Sequence, residues 1–361
     1  GSLAYLTKSF ALPFFLVTFI LFNLLYYFKD FKQKRMVIKN LFLGLTVFFL
    51  ISGTWAGIIS EKYGYPTFGN SGKYNLNEIG PVQEKQGSPI WHGFIEPSNE
   101  KASSAWEDPS YLKINSWSPL ESLNSFKYEI NVIKDNIIKT MTYLIEFSYL
   151  SLMILVFYIL LFLINFKNLF SKKYFINLLF PFLTVLIFIT FYVLIFVEFR
   201  YYYLIYFLLI LMGFYLMQVL FNKNFCNLEI KSILLLVFSV SILIVPVTSL
   251  ISNTDSGKGT YELANQINNQ YHLKGNVASN DGYMASLFVC YLSGAQYYGT
   301  SLKNWGTVED SILEKDLHDY NIDYYLYWGD SNYNPNVLSR YKEITGGKFK
   351  DLKIYYIKER I

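Results

Sequence analysis

Six stretches of the chain stay apolar for about twenty residues at a time, the length a helix needs to cross a ~30 Å hydrocarbon layer. They run roughly Phe10–Phe28, Met36–Ile59, Tyr143–Asn165, Phe175–Val197, Tyr201–Phe221 and Ser232–Ser252. Inside that layer only a helix satisfies every backbone N–H and C=O within one segment. The predicted fold class is a polytopic α-helical membrane protein of six transmembrane helices with a C-terminal external α/β soluble domain. Only 16% of residues are charged and 53% are hydrophobic, against roughly a quarter charged in an ordinary soluble chain. That balance excludes a disordered chain and a fully soluble globule. Two cysteines, Cys226 and Cys290, exclude a small disulfide scaffold. A net charge of +4 is too mild to argue for nucleic acid as a partner. The first stretch is no cleaved signal peptide, since it lacks a basic start and a small-residue cleavage site, and another span follows. Pro13, Pro181 and Pro246 lie in or near spans, where proline is tolerated.

Lysine and arginine in the short loops orient the spans. Lys29, Lys32, Lys34, Arg35 and Lys39 face one acid, Asp30; Lys167, Lys172 and Lys173 face none; Lys223 and Lys231 face Glu229. All three loops are expected to be cytoplasmic, and alternation of six helices puts them on one side. A loop from about Ser60 to Asn136 and a tail from about Asn253 to Ile361 are then extracytoplasmic. The loop carries 7 Lys/Arg against 10 Asp/Glu and the tail 11 against 13, the near-neutral balance expected of translocated segments. Cys226 is then cytoplasmic and Cys290 external, which excludes a disulfide between them. The absence of an Asn-x-Ser/Thr sequon favours a prokaryotic cell envelope. The chain begins Gly1-Ser2 without Met, the mark of an expression remnant or of the cut end of a longer chain.

The expected organisation is two transmembrane helices in 1–59, an external loop module in 60–136, four transmembrane helices in 137–252 and a soluble α/β domain in 253–361. In the tail, Thr260–Leu273, Tyr283–Ser293 and Val308–Tyr320 read as helices. Asn276–Ser279, Ile322–Trp328 and Leu352–Ile357 read as strands, with a turn at Asn280-Asp281-Gly282. Strands alternating with helices predict a mainly parallel sheet. The tail holds no Gly-x-Gly-x-x-Gly and no P-loop. Asp316 and His318 could be pictured on a metal, but a solvated helix face is favoured, and no metal site is assigned. The tail reads as a cap or docking module.

The 60–136 loop contains Gly64-Tyr65-Pro66-Thr67-Phe68, Trp91-His92-Gly93, Trp106-Glu107-Asp108-Pro109-Ser110 and Ser116-Trp117-Ser118-Pro119. Long ordered loops tend to be functional. One reading is a loop lying on the membrane and packed by its own rings. The other is a lid over a substrate cavity, with His92, Trp106, Glu107 and Asp108 as cavity candidates. Glu198-Phe199-Arg200-Tyr201 interrupts an otherwise uncharged run between Lys173 and Lys223. Charges at the membrane edge are expensive and mark sites. Arg200 is either a snorkelling arginine paired with Glu198 or the holder of a lipid phosphate, whose oxygens match the guanidinium fork. Arg200, Glu198 and Tyr201 are the candidate phosphate-binding residues; Glu146 is a second lone charge.

This layout of external loop, helix hairpin with a Glu-x-Arg-Tyr turn, last span and external α/β domain resembles the C-terminal half of the GT-C superfamily glycosyltransferases. The resemblance is to their protein mannosyltransferase and aminoarabinose transferase branch, of the glycosyltransferase family 39 type. Glu198-Phe199-Arg200-Tyr201 looks like that family's acidic-x-Arg-Tyr element, and Gly64–Phe68 and Trp106–Ser110 look like segments of its prokaryotic members. The resemblance implies transfer of a sugar from a polyprenyl-phosphate donor to an acceptor glycan, lipid or protein on the external face of the membrane. It implies an aspartate base in a first external loop and arginines on the leaving phosphate. It also implies about twice as many spans, so that the chain reads as lacking the segment with the base. Cofactors are unknown; a divalent metal is not readable from these residues. Two alternatives stand beside it: a non-enzymatic envelope scaffold, and half of a lipid-linked-sugar transporter, against which the absence of an internal repeat counts.

Overall fold

The break in the third apolar stretch shows how far local chemistry redirects this chain. Tyr143–Asn165 is continuous in hydropathy, yet its helix stops at Phe147 and a new one begins at Ser151, bent by 107°. Ser148 between them is extended, at φ −162°. Its hydroxyl accepts from the Leu150 N–H at 3.2 Å and pairs with the Ser241 hydroxyl, so the side chain replaces the ladder that would have continued the helix.

The computed structural model describes residues 1–29, 33–86, 88, 90, 92–112, 114–168, 178–222, 227–302, 308–329 and 336–360. Asp30, Lys32, Trp91, Lys172, Lys173, Lys223, Cys226 and the start of the fourth stretch at Phe175 lie outside them. Two compact units form: Gly1–Ile79 with Trp117–Ser252, and Gly80–Ser116 with Asn253–Ile361. The 60–136 loop is thus shared between the units.

The first unit is helical: α1 (Ser2–Thr7), α2 (Ala11–Lys29), α3 (Lys34–Tyr63), α4 (Ser71–Glu78), α5 (Leu123–Phe147), α6 (Ser151–Ile164), α7 (Phe180–Val193), α8 (Tyr203–Asn222) and α9 (Leu228–Ser252). Among the described residues four helices are long and apolar enough to cross a membrane: α2, α3, α8 with its lead-in turn Phe199–Tyr202, and α9. They become five if the bent pair α5–α6 is one span, so four to five of the expected six are seen among the described residues. Of the fourth stretch the described helix α7 has 14 residues, ~21 Å at ~1.5 Å per residue, and residues 175–177 lie outside the described ones. These helices are those of a multi-pass membrane protein, and most side chains of α9 face outward, including Leu243, Val247 and Leu250. Inside, Leu144, Tyr158, Tyr202, Ile205 and Met212 are fully buried. Asn136 donates to the carbonyls of Val193 (3.0 Å) and Ile195 (3.3 Å), covering the open end of α7. Gly213 admits the Phe238 ring where any Cβ would collide with it, which lets α8 and α9 approach closely.

The second unit is a five-stranded sheet of β1 (Asn276–Ser279), β2 (Gln296–Thr300), β3 (Tyr324–Trp328), β4 (Tyr341–Glu343) and β5 (Leu352–Arg360) in the order β2-β1-β3-β5-β4. β1 is parallel to β2 and β3; β5 is antiparallel to β3 and β4. The sheet is mixed rather than mainly parallel, because the link from Glu343 to Leu352 is too short for a parallel crossover, which takes a dozen or more residues. Helices α10 (Lys258–Tyr271) and α11 (Tyr283–Ser293) share one core with Val277, Tyr297 and Leu326. Helix α12 (Asp310–Asp319) contributes Leu313 and Leu317 to another, with Tyr325 and Tyr355. Residues 80–116 join this unit because they cover its edge strand: Tyr297 N–H donates to Ser103 and Ile95 N–H to Tyr298, both at 2.7 Å. An uncovered edge would expose unpaired backbone groups.

Candidate functional site

A cavity of about 520 Å³ opens in the first unit. Three separate segments wall it: Lys8–Phe10 with Pro13, residues 65–73 with Asn75 and Leu76, and Phe191–Tyr192 with Ile195, Phe196 and Tyr201. The middle segment is held by its own polar groups. Helix α3 ends on Gly64 at φ 73°, the left-handed position that glycine takes without strain. The returning chain is pinned by Ser60, whose hydroxyl accepts from the Thr67 N–H at 2.9 Å. Tyr65 and Thr67 hydroxyls both donate to Asn70 Oδ1, at 2.8 and 3.1 Å. Tyr5 donates to the Phe68 carbonyl at 2.8 Å, and Ser9 and Ser71 hydroxyls meet at 2.7 Å, so the start of the chain closes the wall.

The third segment carries the charge. Glu198 is extended and the tight turn Phe199–Tyr202 follows. Arg200 pairs with Glu198 and keeps a side chain 65% exposed, while Tyr201 lines the cavity. The Arg200 Cζ lies 5.4 Å from the centre of the Tyr201 ring. Lys8 reaches the same ring from the other wall, its Nζ 3.3 Å from the centre and 5.3 Å from that of Tyr192. The two rings stack at 4.9 Å. Burial, and then the charge of Arg200, push the Lys8 ammonium down to about 8, with Glu198 opposing. Lys8, Arg200 and the Glu198 carboxylate thus gather about the Tyr201 ring at the rim of a mainly apolar hollow, another wall of which carries a further cation, Lys73. Cations over aromatic faces gain more as water is withdrawn. Such a site accepts an anion joined to an apolar chain.

Of the residues singled out from sequence, Glu198, Arg200 and Tyr201 come together here, and Gly64–Phe68 supplies part of the wall. Lys8 was missed. Its one signal is that it is the lone cation ahead of the first apolar stretch. Glu129 was missed too: it is buried on α5, with Oε2 lacking a hydrogen-bond partner among the described residues.

His92, Trp106, Glu107 and Asp108 belong to the second unit. There Glu107 accepts from the Ser103 N–H at 2.7 Å and Asp108 from the Ser110 hydroxyl, so both carboxylates hold their own loop. Trp106 is 51% exposed and His92 is half-buried. An open hollow of about 410 Å³ in that unit is lined by Glu96–Glu100, Tyr111 and Gln296. Burial and the nearby Glu96 push the Tyr111 phenol up to about 12, and its hydroxyl donates to the Glu96 carbonyl. Glu146 is exposed on α5, and Asp316 and His318 sit on α12, His318 exposed. Among the described residues no group of three or more His, Cys, Asp or Glu could hold a metal ion. Cys290 is a buried free thiol. Comparison of the chain with known protein families, with curated proteins and with solved structures gives no match.

Proposed function

We propose that this chain supplies the donor-binding part of an integral-membrane glycosyltransferase, which takes a sugar from a polyprenyl-phosphate donor and passes it to an acceptor on the extracytoplasmic face. The observation that carries the reading is the convergence of Lys8 and Arg200 on Tyr201 at the rim of an apolar cavity. The polyprenyl chain takes the apolar walls and the phosphate takes the rim. When the glycosidic bond breaks, the phosphate gains negative charge, so a fixed guanidinium and ammonium hold the transition state more tightly than the ground state. Glu198 aims Arg200 and limits the site's net positive charge. The reading takes the positive loops to be cytoplasmic, as expected from sequence, with this rim at the external headgroup level.

The test reconstitutes the chain in liposomes, by itself to measure binding of polyprenyl phosphate and joined to the segment that carries the base to measure transfer from its glycosylated form. Arg200→Ala is expected to cost ~10²–10³ in transfer rate, the usual effect of removing one such donor. Arg200→Lys should recover part, since it keeps the charge and loses the fork. If Arg200→Ala inserts, folds and both binds and transfers at the parental level, the arginine is a snorkelling anchor and the assignment fails.

A second reading, half of a lipid-linked-sugar transporter, is favoured by the 107° break between α5 and α6, since interrupted helices frame transport sites. Movement of the lipid-linked sugar across the liposome without a transferred product would select it.

A further inference from the structure

We infer that α5 is a membrane-surface helix whose outer apolar stripe lies in the headgroup–acyl boundary of the bilayer. The helix has three faces. One is buried against the first unit through Glu129, Asn136, Thr140, Leu144 and Phe147. At 100° per residue a second face collects Phe126, Ile130, Ile137, Met141 and Ile145, each at least 38% exposed. A third collects Asn131, Asp135, Thr142 and Glu146, all exposed. Lys127 and Lys134 fall between the outer two in the first half of the helix, where their stems can lie along apolar surface and their heads reach headgroup phosphates.

Neither of the simpler environments suits it. Water would leave an apolar stripe running the length of a 25-residue helix uncovered. A spanning orientation would carry Lys127, Lys134, Asp135, Lys139 and Glu146, all exposed, into hydrocarbon. The neighbouring helix decides between them. α6 contains no charged residue, follows after three residues and is bent by 107°. A helix that enters the bilayer steeply at that angle leaves α5 close to parallel with the surface. The stripe is then continuous with the lipid-facing surface of the helices that enter, and a helix with this partition of faces buries its apolar side ~5–10 Å into the boundary.

The test uses the full chain in liposomes, with Cys226→Ser and Cys290→Ala as background and single nitroxide-labelled cysteines at exposed positions from 126 to 146. Paramagnetic broadening is read from oxygen, which concentrates in lipid, and from a water-soluble nickel chelate. Oxygen access should peak at 126, 130, 137, 141 and 145, nickel access at 131, 135, 142 and 146, and the depth of the oxygen-accessible positions should stay level along the helix. A depth that grows steadily from 126 to 145 overturns the proposal in favour of a span. Nickel access at every position overturns it in favour of water. Exclusion of both reagents from the apolar positions overturns it in favour of protein cover, a second copy included. The measurement needs neither donor nor acceptor, so it stands apart from the glycosyltransferase reading.

Discussion

Both units bury tyrosines matched by a hydroxyl, as Tyr202 is by Thr140 at 2.6 Å in the helical unit, but the helical unit also sets two tyrosines at a cavity rim. In the α/β unit the phenol is matched inside the core: Tyr297 meets the Ser279 hydroxyl and Tyr325 meets the Ser301 hydroxyl, each at 2.7 Å. Those rings are within a few per cent of full burial. In the helical unit Tyr192 and Tyr201 stack on each other and turn their faces toward Lys8 and Arg200 at a cavity rim. A tyrosine satisfied by a neighbouring serine holds a fold together. A tyrosine whose face is turned to cations beside an open hollow is, on the proposed function, a binding element. The same residue type thus occupies two environments, and substitutions at the two places should separate stability from the proposed binding.

The largest effect is expected in the α/β core. Tyr297→Ala removes a ring that is 1% exposed and leaves Ser279 without its partner, which should cost about 3–5 kcal/mol by the usual scale for large aromatic truncations. Amide hydrogen exchange in the full chain would report it as lost protection in β1 and β2. Unchanged protection there would break the contrast, because the ring would not be holding the sheet.

How much of this was legible from sequence depends on whether the signal was local. β1 and α11 were placed to the residue, because the Asn280-Asp281-Gly282 turn punctuates them and Gly282 takes φ 61°. β2 went unseen: Gln-Tyr-Tyr-Gly-Thr is short, and its glycine, at φ 97°, sits at a register shift. The break within the third stretch was not legible, because hydropathy does not register the Ser148 hydroxyl that bonds the Leu150 N–H where the helix stops. Most of α5 was read as loop because its charged face masks the apolar one. Of the site, Arg200 stood out by its isolation in an uncharged run. Lys8 did not, since only folding brings it to Tyr201.

Lys8 gives the next effect. Its ammonium is held down to about 8 in the free protein, and a bound phosphate would raise it by adding negative charge. The sign follows: affinity for polyprenyl phosphate should be greatest near pH 7, falling at lower pH as the phosphate takes up its own second proton at about 6. Affinity should also fall by up to about tenfold per pH unit above 8, until the higher value of the complex is passed. Lys8→Met should flatten this slope and weaken binding below pH 7. Titration of binding to the reconstituted chain at fixed ionic strength checks both. An unaltered slope in Lys8→Met would assign the titration to another group and leave Arg200 and the wall cation Lys73 to meet the anion.

The smallest effect, and the sharpest use of the contrast, compares two identical changes. Tyr325→Phe removes a hydroxyl that pairs with Ser301, itself 7% exposed. A buried hydroxyl left unmatched costs about 1–3 kcal/mol, so exchange protection in β3 should fall. Tyr201→Phe keeps the ring face that Lys8 meets and removes a hydroxyl that is hydrogen-bonded to the Arg200 side chain. Cation–ring attraction is carried by the face rather than the hydroxyl, so stability should stay near the parental value and polyprenyl phosphate binding should fall only by the share that the hydroxyl contributes through positioning Arg200. Tyr201→Ala, which removes the face, should weaken binding by an amount on the order of the ~0.5–2 kcal/mol such contacts contribute. Equal losses from Tyr201→Phe and Tyr201→Ala would make the hydroxyl the working group. Tyr201 would then act as a hydrogen-bond donor to the anion, and the distinction between the two tyrosine environments would rest on burial alone.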